Sequence, residues 1–191
     1  MMRVWFPLRT QGRDRIPDGP VVFAANHFSH LDPVLVGATV GRPVRFLAVD
    51  ELFGASAFFD WLTTWLGAIP MSRTRAPLGA LRTALEVLAD GGSVGLFPEG
   101  IRVWTWGETD SKRGAAWLAR RAGVPLVPVA IAGSDDAMGR GQMRIDRRRM
   151  ATRVCEPILP ADFAHHDDPL AAMAEEWERR IGAAIAEIGV M

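Results

Sequence analysis

Apolar and polar positions fall into blocks along the chain, and the blocks alternate between strand-like runs and helical spacing. Pro20-Val21-Val22-Phe23-Ala24-Ala25 is a continuous apolar run behind the turn signal Pro17-Asp18-Gly19, which predicts a short buried strand. Proline suits a first helical position, so a helix is expected from Pro33 to about Val40. Residues 43–49 read as a second strand, and 77–90 as an amphipathic helix closed by Asp90-Gly91-Gly92. Ser93 to Phe97 is a third strand, 112–122 a helix ending at Gly123, and Leu126 to Ala132 a fourth strand. Met143-Arg144-Ile145 and Thr152-Arg153-Val154-Cys155 predict further edge strands, antiparallel to the rest. A closing helix near 168–188 carries Leu170, Met173, Trp177, Ile181, Ala184 and Ile188 at spacings of three and four, an apolar stripe for core packing. Strands and helices that alternate in this way predict an α/β fold: a single layered domain, residues 1–191, with a largely parallel central sheet flanked by helices.

Composition supports that reading, since 49% hydrophobic and 23% charged residues over 191 positions suffice for one sizeable core. A formal net charge of zero provides no global field toward nucleic acid. The charge is uneven, however. Arg140, Arg144, Arg147, Arg148, Arg149 and Arg153 face only Asp146 within 140–153, whereas residues 156–191 are acidic apart from Arg179 and Arg180. Either solvated surface or a patch for anionic lipid or nucleotide phosphates fits this pattern. Cys155 is the only cysteine, which excludes an intrachain disulfide and a cysteine-based metal cluster and fits a reducing compartment. No apolar stretch approaches the roughly 18 residues of a membrane span, and none at the start has signal-peptide character. The expectation is a cytoplasmic protein, peripheral on the inner face of the cell membrane.

Two short blocks carry the chemistry. Asn26-His27-Phe28-Ser29-His30-Leu31-Asp32 follows the first strand, and Phe97-Pro98-Glu99-Gly100-Ile101-Arg102 follows the third. Ligands of such sheets gather at the carboxyl ends of strands, which places both blocks at one cleft. Asp32 precedes Pro33 and is pushed out of the helical region, so residues 27–32 form a turn that can fold the carboxylate onto the His27 imidazole. The same position also suits a helix N-cap, and both roles stay open at this point. Pro98 and Gly100 bracket Glu99, and the Arg102 guanidinium can take phosphate oxygens as a fork. The alternative for that block is a surface turn with a solvated Glu-Arg pair.

These residues resemble the glycerolipid acyltransferase family, whose bacterial members include 1-acyl-sn-glycerol-3-phosphate acyltransferases. The likeness runs from about residue 18 to about 158 through four blocks in order. They are Asn26, His27, Ser29 and Asp32; Gly67-Ala68-Ile69-Pro70-Met71-Ser72-Arg73; Phe97 to Gly100 with Arg102; and Val124-Pro125-Leu126-Val127-Pro128-Val129. The resemblance implies a glycerol-3-phosphate acyltransferase-like fold. It also implies transfer of a fatty acyl group from a thioester donor, acyl-CoA or acyl carrier protein, to the free hydroxyl of lysophosphatidic acid. His27 and Asp32 are then the catalytic pair, with His27 the general base. Arg73 and Arg102 hold the acceptor phosphate, and Glu99 and Gly100 position its glycerol part. No metal and no bound cofactor is implied; the thioester is a co-substrate.

Ile101 and Val103 depart from the family pattern, in which small hydroxyl or polar residues are common. They admit the same chemistry on another acceptor, an acylated amino acid or a glycolipid. A third reading is an inactive lipid-binding module. Lys112, the only lysine, faces phosphate or solvent. Residues 52–66 hold Leu52, Phe53, Phe58, Phe59, Trp61, Leu62, Trp65 and Leu66, a set suited to a membrane surface, to an acyl groove or to the core.

Overall fold

The computed structural model describes residues 7–54, 56–72, 77–139, 141 and 144–189. Seven strands form one sheet: β1 (Leu8–Gln11), β2 (Val21–Ala25), β3 (Arg45–Val49), β4 (Ile69–Met71), β5 (Ser93–Leu96), β6 (Leu126–Ala132) and β7 (Met150–Val154). Their order is β1-β7-β6-β2-β5-β3-β4. All pairings are parallel except β6 with β7. The helices are α1 (Asp32–Val40), α2 (Ala57–Trp65), α3 (Leu78–Ala89), α4 (Gly114–Ala122), the short α5 (Ser134–Met138) and α6 (Pro169–Ile188).

The central strands are continuous apolar runs because both faces of the sheet are covered. Val22 and Ala24 of β2, with Leu126 and Ala130 of β6, pack against α3, α4 and α6. Val21, Phe23 and Ala25, with Val127, Val129 and Ile131, pack against α1 and α5. The stripe of α6 buries Met173, Trp177, Ile181, Ala184 and Ile188 as its spacing predicts, and the Trp177 indole N–H donates to the Ala24 carbonyl at 2.9 Å. That bond fixes the longest helix against the strand that carries the first chemical block.

The departures from expectation lie at the periphery. Strand β7 is antiparallel to β6 but is not an edge, since β1 pairs outside it. Met143 of the expected 143–145 strand lies outside the described residues, and Arg144 and Ile145 form exposed loop, with Arg144 paired to Asp146 at 3.2 Å. Two edge strands escape the pattern. β1 reads Leu-Arg-Thr-Gln, with too little apolar character to register. β4 contains Pro70, which argues against a strand except at an edge, where a missing N–H costs nothing. Arg153 of β7 pairs with Glu187 of α6, so this member of the basic stretch is neutralised by the acidic helix beside it.

Candidate active site

β2 and β5 are parallel neighbours, with Val21 opposite Ser93 and Ala24 opposite Leu96, so the chain leaves both at the same edge of the sheet. Asn26 anchors the first exit. Its side-chain amide donates to the Ile131 carbonyl at 2.9 Å and its oxygen accepts from the Ile131 N–H at 2.8 Å, extending the pairing of β2 with β6 by one side chain. Ser29 pins the middle of the loop through its hydroxyl, which donates to the Met138 carbonyl at 2.5 Å and accepts from the Leu31 N–H at 3.1 Å. Fixed at both points, the turn folds back on itself.

Asp32 closes it. Its Oδ2 accepts from the N–H groups of Phe28 and Ser29, each at 2.7 Å, and lies 2.9 Å from His27 Nδ1. The carboxyl group therefore reaches backward into the loop and does not cap α1; Asp32 is itself the first residue of that helix and Pro33 the second, so Asp32 is not held outside the helical region as its place before proline predicts. The acceptor oxygen requires the proton on Nδ1, which leaves Nε2 with a free lone pair. Asp32 is fully buried, while the His27 side chain keeps 17% of its surface open. The imidazole stacks on Phe97 with centroids 4.0 Å apart, and Phe97 stacks in turn on Phe46 at 5.5 Å. The Val103 N–H donates to the His27 carbonyl at 2.9 Å, so the two chemical blocks are bonded to each other as well as adjacent.

The second block makes a tight turn in which Gly100 N–H donates to the Phe97 carbonyl at 2.9 Å and Gly100 takes a φ of 72°, a left-handed conformation that favours glycine. Glu99 is only 4% exposed, and neither of its carboxyl oxygens has a hydrogen-bond partner among the described residues. Burial pushes its carboxyl up to about 8; the nearby amides of His27 and Glu99 oppose the shift without full hydrogen-bond geometry, and Asp32 adds to it. Glu99 is accordingly a neutral acid at pH 7, not the solvated partner of a surface pair.

A groove of about 430 Å³ opens beside these turns. His27, His30, Gly100, Ile101 and Arg102 line its polar end. Its walls are apolar, from Phe46 and Leu47 of β3, Leu62 and Leu66 on and after α2, and Met71 and Phe97. His27, Asp32, Gly100 and Arg102 thus come together, His27, Gly100 and Arg102 facing the groove and Asp32 behind His27. Glu99 shares the turn but does not line the groove, so it acts from beneath and not by touching a groove occupant. Arg73 lies outside the described residues.

Sequence reasoning assigned no role to His30, which lines the groove between the pair and Arg102. Burial first, then the charge of Arg102 and the neighbouring His27, push it down to about 4 against the opposing pull of Asp32, so it is a neutral donor or acceptor. Its place in the first block, three residues after His27 in a turn, was the available signal. The stacking of Phe97 on His27 could not be read from the sequence, because it depends on strand neighbours far apart in the chain.

The layered sheet with a histidine-carboxyl pair at the head of an apolar groove is that of an acyl-transferring enzyme. The Acyltransferase family model matches residues 7–132, more than half of the chain, and the chain belongs to that family. It is 29% identical over 181 residues to the 1-acyl-sn-glycerol-3-phosphate acyltransferase of Bacillus subtilis (strain 168), covering 91% of this chain and 86% of that protein. The Streptococcus pneumoniae protein of the same description is 31% identical over 159 residues, 81% of this chain and 57% of its own. A chloroplast relative from Arabidopsis thaliana is 28% identical over 72% of this chain but only 39% of its length. The crystal structure of the 1-acyl-sn-glycerophosphate acyltransferase PlsC from Thermotoga maritima superposes with a TM-score of 0.77 at 24% identity, over 97% of this chain and 75% of that one, and shows the same fold.

Proposed function

We propose that the protein transfers a fatty acyl group from a thioester donor, acyl-CoA or acyl carrier protein, to the free hydroxyl of 1-acyl-sn-glycerol 3-phosphate, giving phosphatidic acid. The observation that carries this reading is the 2.9 Å contact of His27 Nδ1 with Asp32 at the polar end of a groove that also presents Arg102. Nε2 takes the proton of the acceptor hydroxyl as its oxygen attacks the thioester carbonyl. The C–S bond then breaks, the ester forms, and the leaving thiolate regains the proton from the imidazolium. Asp32 keeps the ring in the reactive tautomer and stabilises its cation, as the acid does in hydrolase triads. Apolar walls take the acyl chain, and Arg102 holds the acceptor phosphate. The names of the relatives support this acceptor.

The protein meets its lipid acceptor at a membrane surface. Among the described residues no helix is long and apolar enough to cross a bilayer. Helix α2 turns Leu62 toward the groove and leaves Trp61 and Trp65 outside, 58% and 59% exposed and stacked with centroids 6.0 Å apart. Such a pair suits the headgroup boundary.

The test is thiol release from palmitoyl-CoA with 1-acyl-sn-glycerol 3-phosphate, its dephosphorylated monoacylglycerol, an acylated amino acid and a glycolipid alcohol as acceptors, with products identified by mass. Phosphatidic acid formed at a rate well above the other esters is expected. Equal rates with monoacylglycerol overturn the phosphate acceptor, and thiol release without acceptor indicates a thioesterase.

A further inference from the structure

We propose that Arg147, Arg148 and Arg149, with Ile145 before them, form a docking surface for a membrane that carries anionic lipid. The inference rests on the acyl transfer reading, which brings the protein to its lipid acceptor, and adds the residues that meet the charge of that surface. The three arginines are adjacent and exposed, and their side chains make no hydrogen bond or ion pair among the described residues. Elsewhere the chain pairs its surface charge: Arg15 with Glu156, Arg82 with Glu86, Arg113 with Asp168 and, in this same loop, Arg144 with Asp146. Asp135 and Asp136 of α5 share a cavity lining with Arg149, yet neither forms an ion pair with the loop among the described residues. In a protein of zero formal net charge, three neighbouring cations without a partner make a local field where no global one exists.

The fold puts that field at the edge of the sheet where the chemistry is. β6 and β7 are antiparallel with Ala132 opposite Ala151, so the chain enters β7 where β6 and its parallel neighbour β2 end. Direct contacts join the arginine loop to the 27–32 turn. Gly133, just after β6, leaves no room for a side chain against the Arg149 carbonyl. The Asp146 N–H donates to the Ala137 carbonyl at 2.8 Å, and the Ser29 hydroxyl donates to the next carbonyl, that of Met138, at 2.5 Å. The loop is thus held to α5, and α5 to the turn that carries His27. In the strand order, β6 and β7 lie on one side of β2, whereas β5 and β3, which wall the groove, lie on the other. The composition of the loop points to lipid. Ile145 is 40% exposed among the arginines, and an apolar side chain beside guanidinium groups suits the headgroup boundary, where one inserts and the others take phosphate oxygens. An acidic protein surface would answer the cations alone. The proposed acceptor and product are themselves anionic lipids, so the surface on which they lie has the complementary charge.

The test is sedimentation of the full chain with vesicles of phosphatidylcholine alone and of phosphatidylcholine with phosphatidylglycerol in equal parts, without acyl donor. The wild type is compared with Arg147→Gln combined with Arg148→Gln, and with Arg120→Gln combined with Arg121→Gln. The second pair removes equal charge from exposed arginines at the end of α4, beside the start of β2, where the Val22 N–H donates to the Pro125 carbonyl at 3.0 Å; that is the opposite edge of the sheet. The wild type is expected to bind the charged vesicles more tightly than the neutral ones, and less tightly as salt rises. Loss of Arg147 and Arg148 should lower that affinity about tenfold or more, and loss of Arg120 and Arg121 by less than about twofold. Arg147→Lys combined with Arg148→Lys should retain it. Equal losses in the two glutamine variants, or no loss in either, overturn the surface. A raised KM for an acyl carrier protein donor with unchanged vesicle binding makes the loop a protein-docking site and overturns the lipid partner. Because binding is read without turnover, the two readings fail separately. If no phosphatidic acid forms but charged vesicles still capture the protein through Arg147 and Arg148, the acyl transfer reading fails and the surface stands. If phosphatidic acid forms while vesicle binding ignores the loop, the surface fails by itself.

Discussion

Asp32 and Glu99 are acids of similar burial at the ends of neighbouring strands, yet the two turns treat them in opposite ways. The 27–32 loop directs two backbone amides and an imidazole N–H onto one oxygen of Asp32, whereas no donor in the 97–102 turn makes a full hydrogen bond to Glu99. The first carboxyl orients a base. The second is held uncharged under the turn. The difference shows that burial alone does not decide what an acid does; the donors that the local backbone supplies decide it.

The substitution with the largest expected effect tests the first half of that contrast. His27→Ala removes the base and should lower kcat on the order of 10²–10⁴-fold with an unchanged far-ultraviolet spectrum. A variant retaining more than about a tenth of the wild-type rate, followed by thiol release, places the base elsewhere. Asp32→Asn comes next. All three donors meet one oxygen, so an amide oxygen in that place keeps the loop folded but brings no charge to stabilise the imidazolium. The kcat should fall about 100-fold or more. Urea unfolding separates the two effects: a collapse of stability in place of a loss of rate makes Asp32 a structural residue.

Glu99→Gln sharpens the other half. A carboxyl raised from 4.5 to about 8 binds its proton more tightly in the folded chain than in the unfolded one. Its stabilising contribution is fully present below pH 4.5 and is lost as the pH rises through about 8. Glutamine mimics the neutral acid, so the variant should be near wild type at pH 5 and more stable than wild type at pH 9, measured as urea midpoints. Parallel curves for the two proteins mean that Glu99 is ionised in the fold. The smallest effect belongs to Trp61→Ala with Trp65→Ala, which should leave unfolding free energy within about 0.5 kcal/mol and reduce sedimentation with anionic vesicles. Unaltered sedimentation removes α2 from the membrane contact.

The core of the fold was legible because its strands and α6 announce themselves by period: β2 and β6 as unbroken apolar runs, α6 as a stripe that buries Trp177. The edges were not. β1 has one apolar residue in four, and Pro70 in β4 is a signal against the structure it forms. Within the site, the pairing of His27 with Asp32 was legible as a turn folding back, although Asp32 begins α1 and is not excluded from it by Pro33, and the shared edge followed from two strands ending in chemistry. What sequence could not show was direction. Glu99 turns inward while Gly100 and Arg102 face the groove, and His30 faces it beside His27; these orientations are set by the Val103 bond to the His27 carbonyl and by the Phe46-Phe97-His27 stack, which join residues distant in the chain.

The central claim is that Asp32 holds His27 with its proton on Nδ1 and its lone pair on Nε2. Nitrogen-15 NMR of the histidine-labelled wild type, with His27 assigned by loss of its signals in His27→Ala, reads this directly. The account predicts a protonated Nδ1 and a bare Nε2 for the neutral ring. The reverse tautomer, or a ring whose nitrogens exchange freely between both forms, contradicts it.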